Sequence, residues 1–255
     1  MKIHKTSIIH PNAEIDSNVE IGPFCIIEED VKIGSGTKVL PYVHILSNTE
    51  IGKNNIFHNG STIGGLPQDL KFNNEKTSLI IGNNNIFREN CTINKGTEAA
   101  DKTVIGSNCL FMAYVHVAHD CIIEDKVILA NGVQLGGHAE IHYHATVGGI
   151  TPVHQFCKVG KHSFIGGGRL VLQDVPPYIL ANSEPLKYAG INSVGLRRRD
   201  FDLNTRNLIK KAYKVLYLSD LNISQAINEL ESNFDSTDEI KEIINFVKNS
   251  DRGLI

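Results

Sequence analysis

The chain has 255 residues, enough for one large domain or two small ones. Charged residues make up 21% and the formal net charge is -3, which excludes a general polyanion binder and a charge-expanded disordered chain. Tryptophan is absent, aromatics are only 7% and glycine numbers 22, so the core must be built from aliphatic side chains, and no apolar run approaches the roughly 20 residues of a membrane span. At the start of the chain, MKIHKTSIIHPNAEI lacks the apolar stretch and cleavage site of a secretory signal.

Stepping in sixes from Ile3 exposes an internal repeat. The positions Ile9, Ile15, Ile21, Ile27, Ile33 and Val39 open a grid that runs to Val171, and 26 of its 29 members are Ile, Leu, Val or Phe. The exceptions are Asp69, Glu75 and Ala99. Four residues after each grid position lies a small or β-branched one, such as Ala13, Val19, Cys25, Val31, Val115 and Ala145. A helix cannot use this pattern, because six residues advance about 600° and scatter the apolar positions over three faces. A strand can, since the fourth and sixth positions are two apart and point the same way. Each unit is then a short strand plus a corner, three units close a coil of 18 residues, and stacked coils form a parallel β-helix. Glycine often follows the grid residue (Gly22, Gly34, Gly52, Gly82), and the expectation is that it relieves positive φ at the bend. The repeat resembles the hexapeptide-repeat family of acyltransferases, which implies a mainly β fold with a left-handed parallel β-helix.

The grid fails at 66–79 (LPQDLKFNNEKTSL) and 96–102 (GTEAADK), both polar and read as loops leaving a coil corner. The five cysteines, an odd count that argues against a closed disulfide framework and for a reducing cytoplasm, all occupy the small inward register: Cys25, Cys91, Cys109, Cys121 and Cys157. They are read as buried small hydrophobes. The β-helix is placed at 1–180, a linker with Pro185 at 181–199, and a helical domain at 200–255. There Leu203, Leu208, Ile209, Ala212, Val215 and Leu216 mark one helix face, and Asn222 with Gln225 and Ser236 with Glu239 read as capping boxes.

Most of the 11 histidines lie in the second half of the β-helix. In HVAHDC, Val117 and Cys121 point inward and His119 falls outward near a corner. An 18-residue coil stacks His119, Gly137 and Gln155 in one column, with His138 and His154 beside it. A glycine offers a bare N–H next to an imidazole, the arrangement for a general base beside an oxyanion donor. The residues alone leave a second reading open, in which these histidines are solvated polar side chains. A zinc site requires three converging imidazoles, and the spacing singles out no triple.

The segments VHVAHDCIIED, LGGHAEI, TPVHQFCKVGKH, QDVPPYILA and GINSVGLRRRDF, taken in order, resemble the UDP-N-acetylglucosamine O-acyltransferase family across essentially the whole chain. The resemblance implies transfer of an (R)-3-hydroxyacyl group from acyl carrier protein to the 3-hydroxyl of UDP-N-acetylglucosamine, the first step of lipid A biosynthesis. It makes His119 the general base, Asp120 the carboxylate that orients it and Gly137 the oxyanion donor. It places sugar-nucleotide contacts on Asp69, Lys71, His116, His138, His154, Gln155, Asn192 and Arg198. It assigns acyl-length selection to the groove at Gly167 and Arg169. It implies a homotrimer with sites between subunits, and no metal or cofactor beyond the phosphopantetheine that carries the acyl group on the carrier protein. Neither nucleic acid nor a transmembrane segment enters. Family members carry an acidic residue where this chain has Val194. The basic run Arg197, Arg198, Arg199, Lys210, Lys211 and Lys214 is a candidate surface for an acidic carrier protein. The alternative is another hexapeptide-repeat acyl- or acetyltransferase acting on a related sugar nucleotide. A purely structural β-helix such as an ice-binding protein calls for flat threonine arrays, and the chain has none.

Overall fold

The computed structural model describes residues 2–255. It is a left-handed parallel β-helix followed by a small helical domain. Strands of mostly two residues pair in parallel with the strand 18 residues on: Glu20 with Lys38, Ile26 with His44, Val31 with Thr49. Three sheets of eleven, eight and eight strands result, one for each side of the coil. We call them the first, second and third sheet, after the strands Lys38–Val39, His44–Ile45 and Thr49–Ile51.

Across the first loop the pairing interval grows to 30, from Ile56 to Ile86, and across the second to 24, from Ile86 to Leu110. The loops therefore add 12 and 6 residues to an 18-residue coil. Both are multiples of six, which is why the grid keeps its phase on the far side of each. The loops are shorter than the polar composition suggests, because Ser78 and Leu79 open the strand Ser78–Ile81, and Lys102 opens Lys102–Ile105.

Outside the loops, every grid residue from Ile21 to Val171 is at most 2% exposed. Phe57, Phe87 and Phe111 stack through the interior with ring centroids 4.8 and 4.5 Å apart. The five cysteines are buried and free, and burial pushes the Cys91, Cys109 and Cys121 thiols up to about 12. Two asparagines also sit in the inward register. Asn55 Oδ1 accepts from Asn85 N–H at 2.9 Å, and Asn85 Oδ1 from Cys109 N–H at 2.8 Å, while their amides donate to Gly82 and Gly106 carbonyls. This ladder satisfies polar groups that would otherwise be costly inside the coil.

Apart from Gly64 (80°), positive φ does not fall on the glycines that follow the grid residues. It falls three residues after the grid position, at Asn54 (56°), Asn84 (58°), Asn108 (61°), Asp120 (61°) and His138 (60°), which tolerate the left-handed region better than most, but also at Tyr42 (63°), Tyr114 (64°) and Ile150 (55°), which do not. The glycines answer a different demand. A Cβ on Gly52 would lie 2.6 Å from Gly82 O, and one on Gly82 2.6 Å from Gly106 O, so stacked coils leave no room for a side chain there.

The coil outlasts the grid. Val171 bridges Val153, Val175 bridges Val159, and Leu180 pairs with Phe164, the interval tightening from 18 to 16. The segment read as a linker is structured. Strand Ile179–Asn182 turns back antiparallel into Lys187–Ile191, and helix α1 (Ser193–Arg198) follows. Helices α2 (Leu203–Leu218), α3 (Ile223–Asn233) and α4 (Asp238–Lys248) complete the chain. The inward face of α2 is Ile209, Ala212, Tyr213 and Leu216. Leu203 is 62% exposed, because it sits at the first turn beyond reach of the neighbours. The Asn222–Gln225 capping box forms. Helix α4 is capped by Thr237 rather than Ser236, a shift of one residue that turns Ile240, Ile243, Ile244 and Val247 inward.

Candidate active site

The two loops leave the same corner, between the second and third sheets, in consecutive coils. The next three coils present His119–Asp120, Gly137–His138 and Gln155–Phe156 at that corner. Insertions and histidines thus converge on a cleft of about 1020 Å³, whose walls include Asp69, Lys71, His119, His138, Gln155 and Phe156.

His119 is held from one side. Its Nδ1 lies 2.7 Å from Asp120 Oδ2, and the Asp120 side chain is fully buried. An ionised carboxylate only accepts, so Nδ1 carries the proton and Nε2 keeps its lone pair. Asp120 is gripped further by Thr97, whose N–H donates to Oδ1 at 2.7 Å and whose hydroxyl donates to Oδ2 at 2.6 Å. His138 Nε2 stands 3.4 Å from Oδ2, with its ring edge-on to His119 at 5.3 Å and stacked on Phe156 at 4.5 Å. His119, Asp120 and His138 bring one ligating atom each within 4.8 Å of one another, but Oδ2 is already engaged by two hydrogen bonds.

Gly137 lies against the His119 ring. A Cβ at this position would be 2.6 Å from His119 Cε1 and 2.7 Å from Nε2. Only glycine leaves the imidazole its place. The neighbouring Gly136 N–H is spent on Val153 O, whereas Gly137 N–H donates to no protein acceptor among the described residues. A pinned imidazole with a free Nε2, beside an unspent N–H, can accept a proton from a nucleophile and stabilise a nearby oxyanion.

The loop residues are ordered locally. Asp69 Oδ1 accepts from Lys71 N–H at 2.9 Å and Asp69 O from Phe72 N–H at 3.0 Å, a turn that sets both at the cleft. His116 opens onto a smaller adjoining cleft that shares Gln68, and its Nδ1 meets Thr92 Oγ1 at 2.8 Å. Burial depresses its pKa. His154 is exposed at the same corner, with Nδ1 3.1 Å from Gln155 O.

The remaining expected residues lie elsewhere in the chain. Asn192 caps α1, accepting from Gly195 N–H at 3.1 Å and donating to His162 O at 2.9 Å. It and the exposed Arg198 therefore sit by the corner between the third and first sheets. Val194, on the same short helix, is 52% exposed. Gly167 and Arg169 lie at the corner between the first and second sheets, where Arg169 Nε donates to Asn182 Oδ1 at 3.0 Å. Sequence reasoning missed Thr97 and Phe156. The 18-residue interval from Asp120 through His138 reaches Phe156 and was signal enough, whereas Thr97 sits in a loop with no repeat to follow.

Residues 30–65 and 102–137 match the family described as bacterial transferase hexapeptide (six repeats), and residues 174–255 match UDP N-acetylglucosamine O-acyltransferase, domain 2. The acyl-[acyl-carrier-protein]--UDP-N-acetylglucosamine O-acyltransferase of Thiobacillus denitrificans is 41% identical over 254 residues, covering 99% of this chain and 98% of the relative. Its counterpart from Thermodesulfovibrio yellowstonii is 45% identical with the same coverage. Among solved structures, LpxA from Acinetobacter baumannii aligns with a TM-score of 0.97 at 43% identity over 99% of each chain. The UDP-N-acetylglucosamine O-acyltransferase (LpxA) from Moraxella catarrhalis aligns with a TM-score of 0.98 at 39% identity over 100% of each. A shared coil, a shared helical end and identity sustained over the full length lead to one conclusion: this chain belongs to the UDP-N-acetylglucosamine O-acyltransferase family.

Proposed function

We propose that the protein transfers an (R)-3-hydroxyacyl group from acyl carrier protein to the 3-hydroxyl of UDP-N-acetylglucosamine, the opening step of lipid A biosynthesis. The observation that carries this reading is the His119 ring, pinned through Nδ1 to Asp120 while Nε2 faces Gly137 in the cleft. The sugar oxygen attacks the thioester carbonyl as Nε2 takes its proton. The oxyanion of the tetrahedral intermediate is met by Gly137 N–H. Collapse breaks the C–S bond, and His119 returns the proton to the departing phosphopantetheine thiol. The reaction so written uses no metal and no other cofactor. Asp69, Lys71, His138, Gln155, and His116 and His154 on either side, would hold the sugar nucleotide.

A homotrimer completes this reading. Asn192 and Arg198 sit at one corner and His119 at another, so one chain alone does not assemble the whole set. The outer row of the first sheet is charged at Lys2, Glu20 and Lys38, but from Ile56 on it is partly exposed and largely apolar (Ile56, Ile86, Leu110, Ile128 and Phe164, interrupted by Thr146), a surface suited to burial against a second copy. Gly167 and Arg169 would then shape the acyl groove. Lys210, Lys211 and Lys214 line an open groove of about 630 Å³ on the helical domain, and with Arg197 to Arg199 would receive the acidic carrier protein. Among the described residues no helix is long and apolar enough to cross a membrane, and the cytoplasm, where its donor resides, is the proposed location.

The test is a transfer assay with UDP-N-acetylglucosamine and 3-hydroxyacyl carrier proteins of varied chain length. Formation of the 3-O-acyl sugar nucleotide is expected, with turnover lost in His119→Ala and the fold retained. Preference for acetyl-CoA would favour the alternative acetyltransferase, and near-normal activity in His119→Ala would remove that residue from the mechanism.

A further inference from the structure

Asp120 is oriented by more than the residue it serves. A carboxylate on a single histidine can rotate about its Cβ–Cγ bond, and its useful lone pair moves with it. Here both oxygens are tied by one residue. Thr97 N–H holds Oδ1 at 2.7 Å and the Thr97 hydroxyl holds Oδ2 at 2.6 Å, which fixes the plane of the group with Oδ2 toward His119 Nδ1. Thr97 is 7% exposed, and its loop is clamped on both sides. Gly96 O accepts from the Thr77 hydroxyl at 2.6 Å, and Thr97 O accepts from Asp101 N–H at 2.7 Å. From below, Asp120 N–H donates to Thr103 Oγ1 at 2.8 Å. Four hydrogen bonds thus converge on one buried residue, beside the longer approach of His138 Nε2 at 3.4 Å, and two of the four come from a six-residue insertion that the β-helix does not otherwise need.

We propose that Thr97 is a positioning residue that sets the His119 imidazole through the Asp120 carboxylate, and that delivering it is the purpose of the second loop. The proposal rests on the reading of His119 as the base. Thr97→Val keeps the shape and removes the hydroxyl. Its kcat should fall about tenfold, the worth of one charge-assisted hydrogen bond, while KM for UDP-N-acetylglucosamine stays within about twofold. Thr97→Ser, which keeps the hydroxyl, should restore kcat. On an Asp120→Asn background the valine change should add almost nothing, because the path to His119 is already cut. NMR of protein carrying 15N-labelled histidine should show the His119 Nδ1–H proton shifted in Thr97→Val and returned in Thr97→Ser.

Unchanged kcat in Thr97→Val would overturn the proposal. So would a rise in KM at constant kcat, failure of serine to rescue, or a full multiplicative loss on the Asp120→Asn background, since each describes a loop that only walls the cleft. The NMR measurement needs no turnover. An enzyme inactive with the proposed substrates would defeat the functional reading, and the proton shift would still decide whether Thr97 governs the His119–Asp120 contact.

Discussion

At the scale of single residues, the site depends on how little space surrounds the His119 ring. Nδ1 is committed to Asp120 and the ring lies where a Gly137 side chain would be. Alanine at 137 would collide with a ring that cannot retreat without breaking the 2.7 Å contact. Gly137→Ala should therefore lower kcat by about 100-fold or more, the order expected when a base and an oxyanion donor are displaced together, with little change in melting temperature. Steady-state kinetics beside a thermal melt measures both. Much of this was legible beforehand, because an 18-residue coil stacks 119, 137 and 155 by arithmetic. The grip of Thr97 was not legible, since loop conformation follows no period.

At the scale of elements, each coil side is too short to be stable alone and is secured by its neighbours above and below. Phe87 shows the dependence most clearly, fully buried between Phe57 and Phe111. Phe87→Ala should cost about 3–5 kcal/mol, because rigid coils on either side cannot collapse into the cavity. Chemical denaturation checks this. The periodicity identified these side chains as inward but did not reveal the Asn55–Asn85 ladder, whose polar groups are tolerable only because the adjoining coils supply their partners. The helical end was read correctly where a cap declares itself, at Asn222. At Ser236 the cap falls one residue later, because the adjacent Thr237 offers the same hydroxyl and packing chooses the phase.

At the scale of the whole molecule, the helical domain is joined to the β-helix through a cluster of histidines and aromatic rings. His162 packs between Tyr143, Tyr178 and Phe201, with its Nδ1 3.2 Å from Arg199 Nη1. Burial, reinforced by Arg199, His144, Lys161 and Lys126, holds its pKa down to about 3. Burial, with Arg199 and Lys126, holds that of His144 down to about 4. In the unfolded chain both take a proton near the ordinary value of about 6.5. Between these limits the unfolded state binds more protons, so stability is full above about pH 6.5 and falls as the pH drops toward 4 and then 3. Denaturation midpoints measured from pH 7.5 to 5 should decline. In His162→Asn the decline should be shallower, since one of the two titrating groups is gone.

The sequence by itself determined the coil. A six-residue alternation of large and small inward positions admits a β-helix and excludes a helix, and the order of its histidine segments marked the family. Only the tertiary structure decided what meets at each corner. It showed that both insertions leave the corner that carries His119, that the glycines answer the crowding of stacked backbones, and that Asn192 and Arg198 lie a corner away from the base. Period is a property of local geometry repeated along the chain, so it can be read residue by residue. Loop path and corner chemistry arise from contacts between coils, and those exist only once the chain has closed on itself.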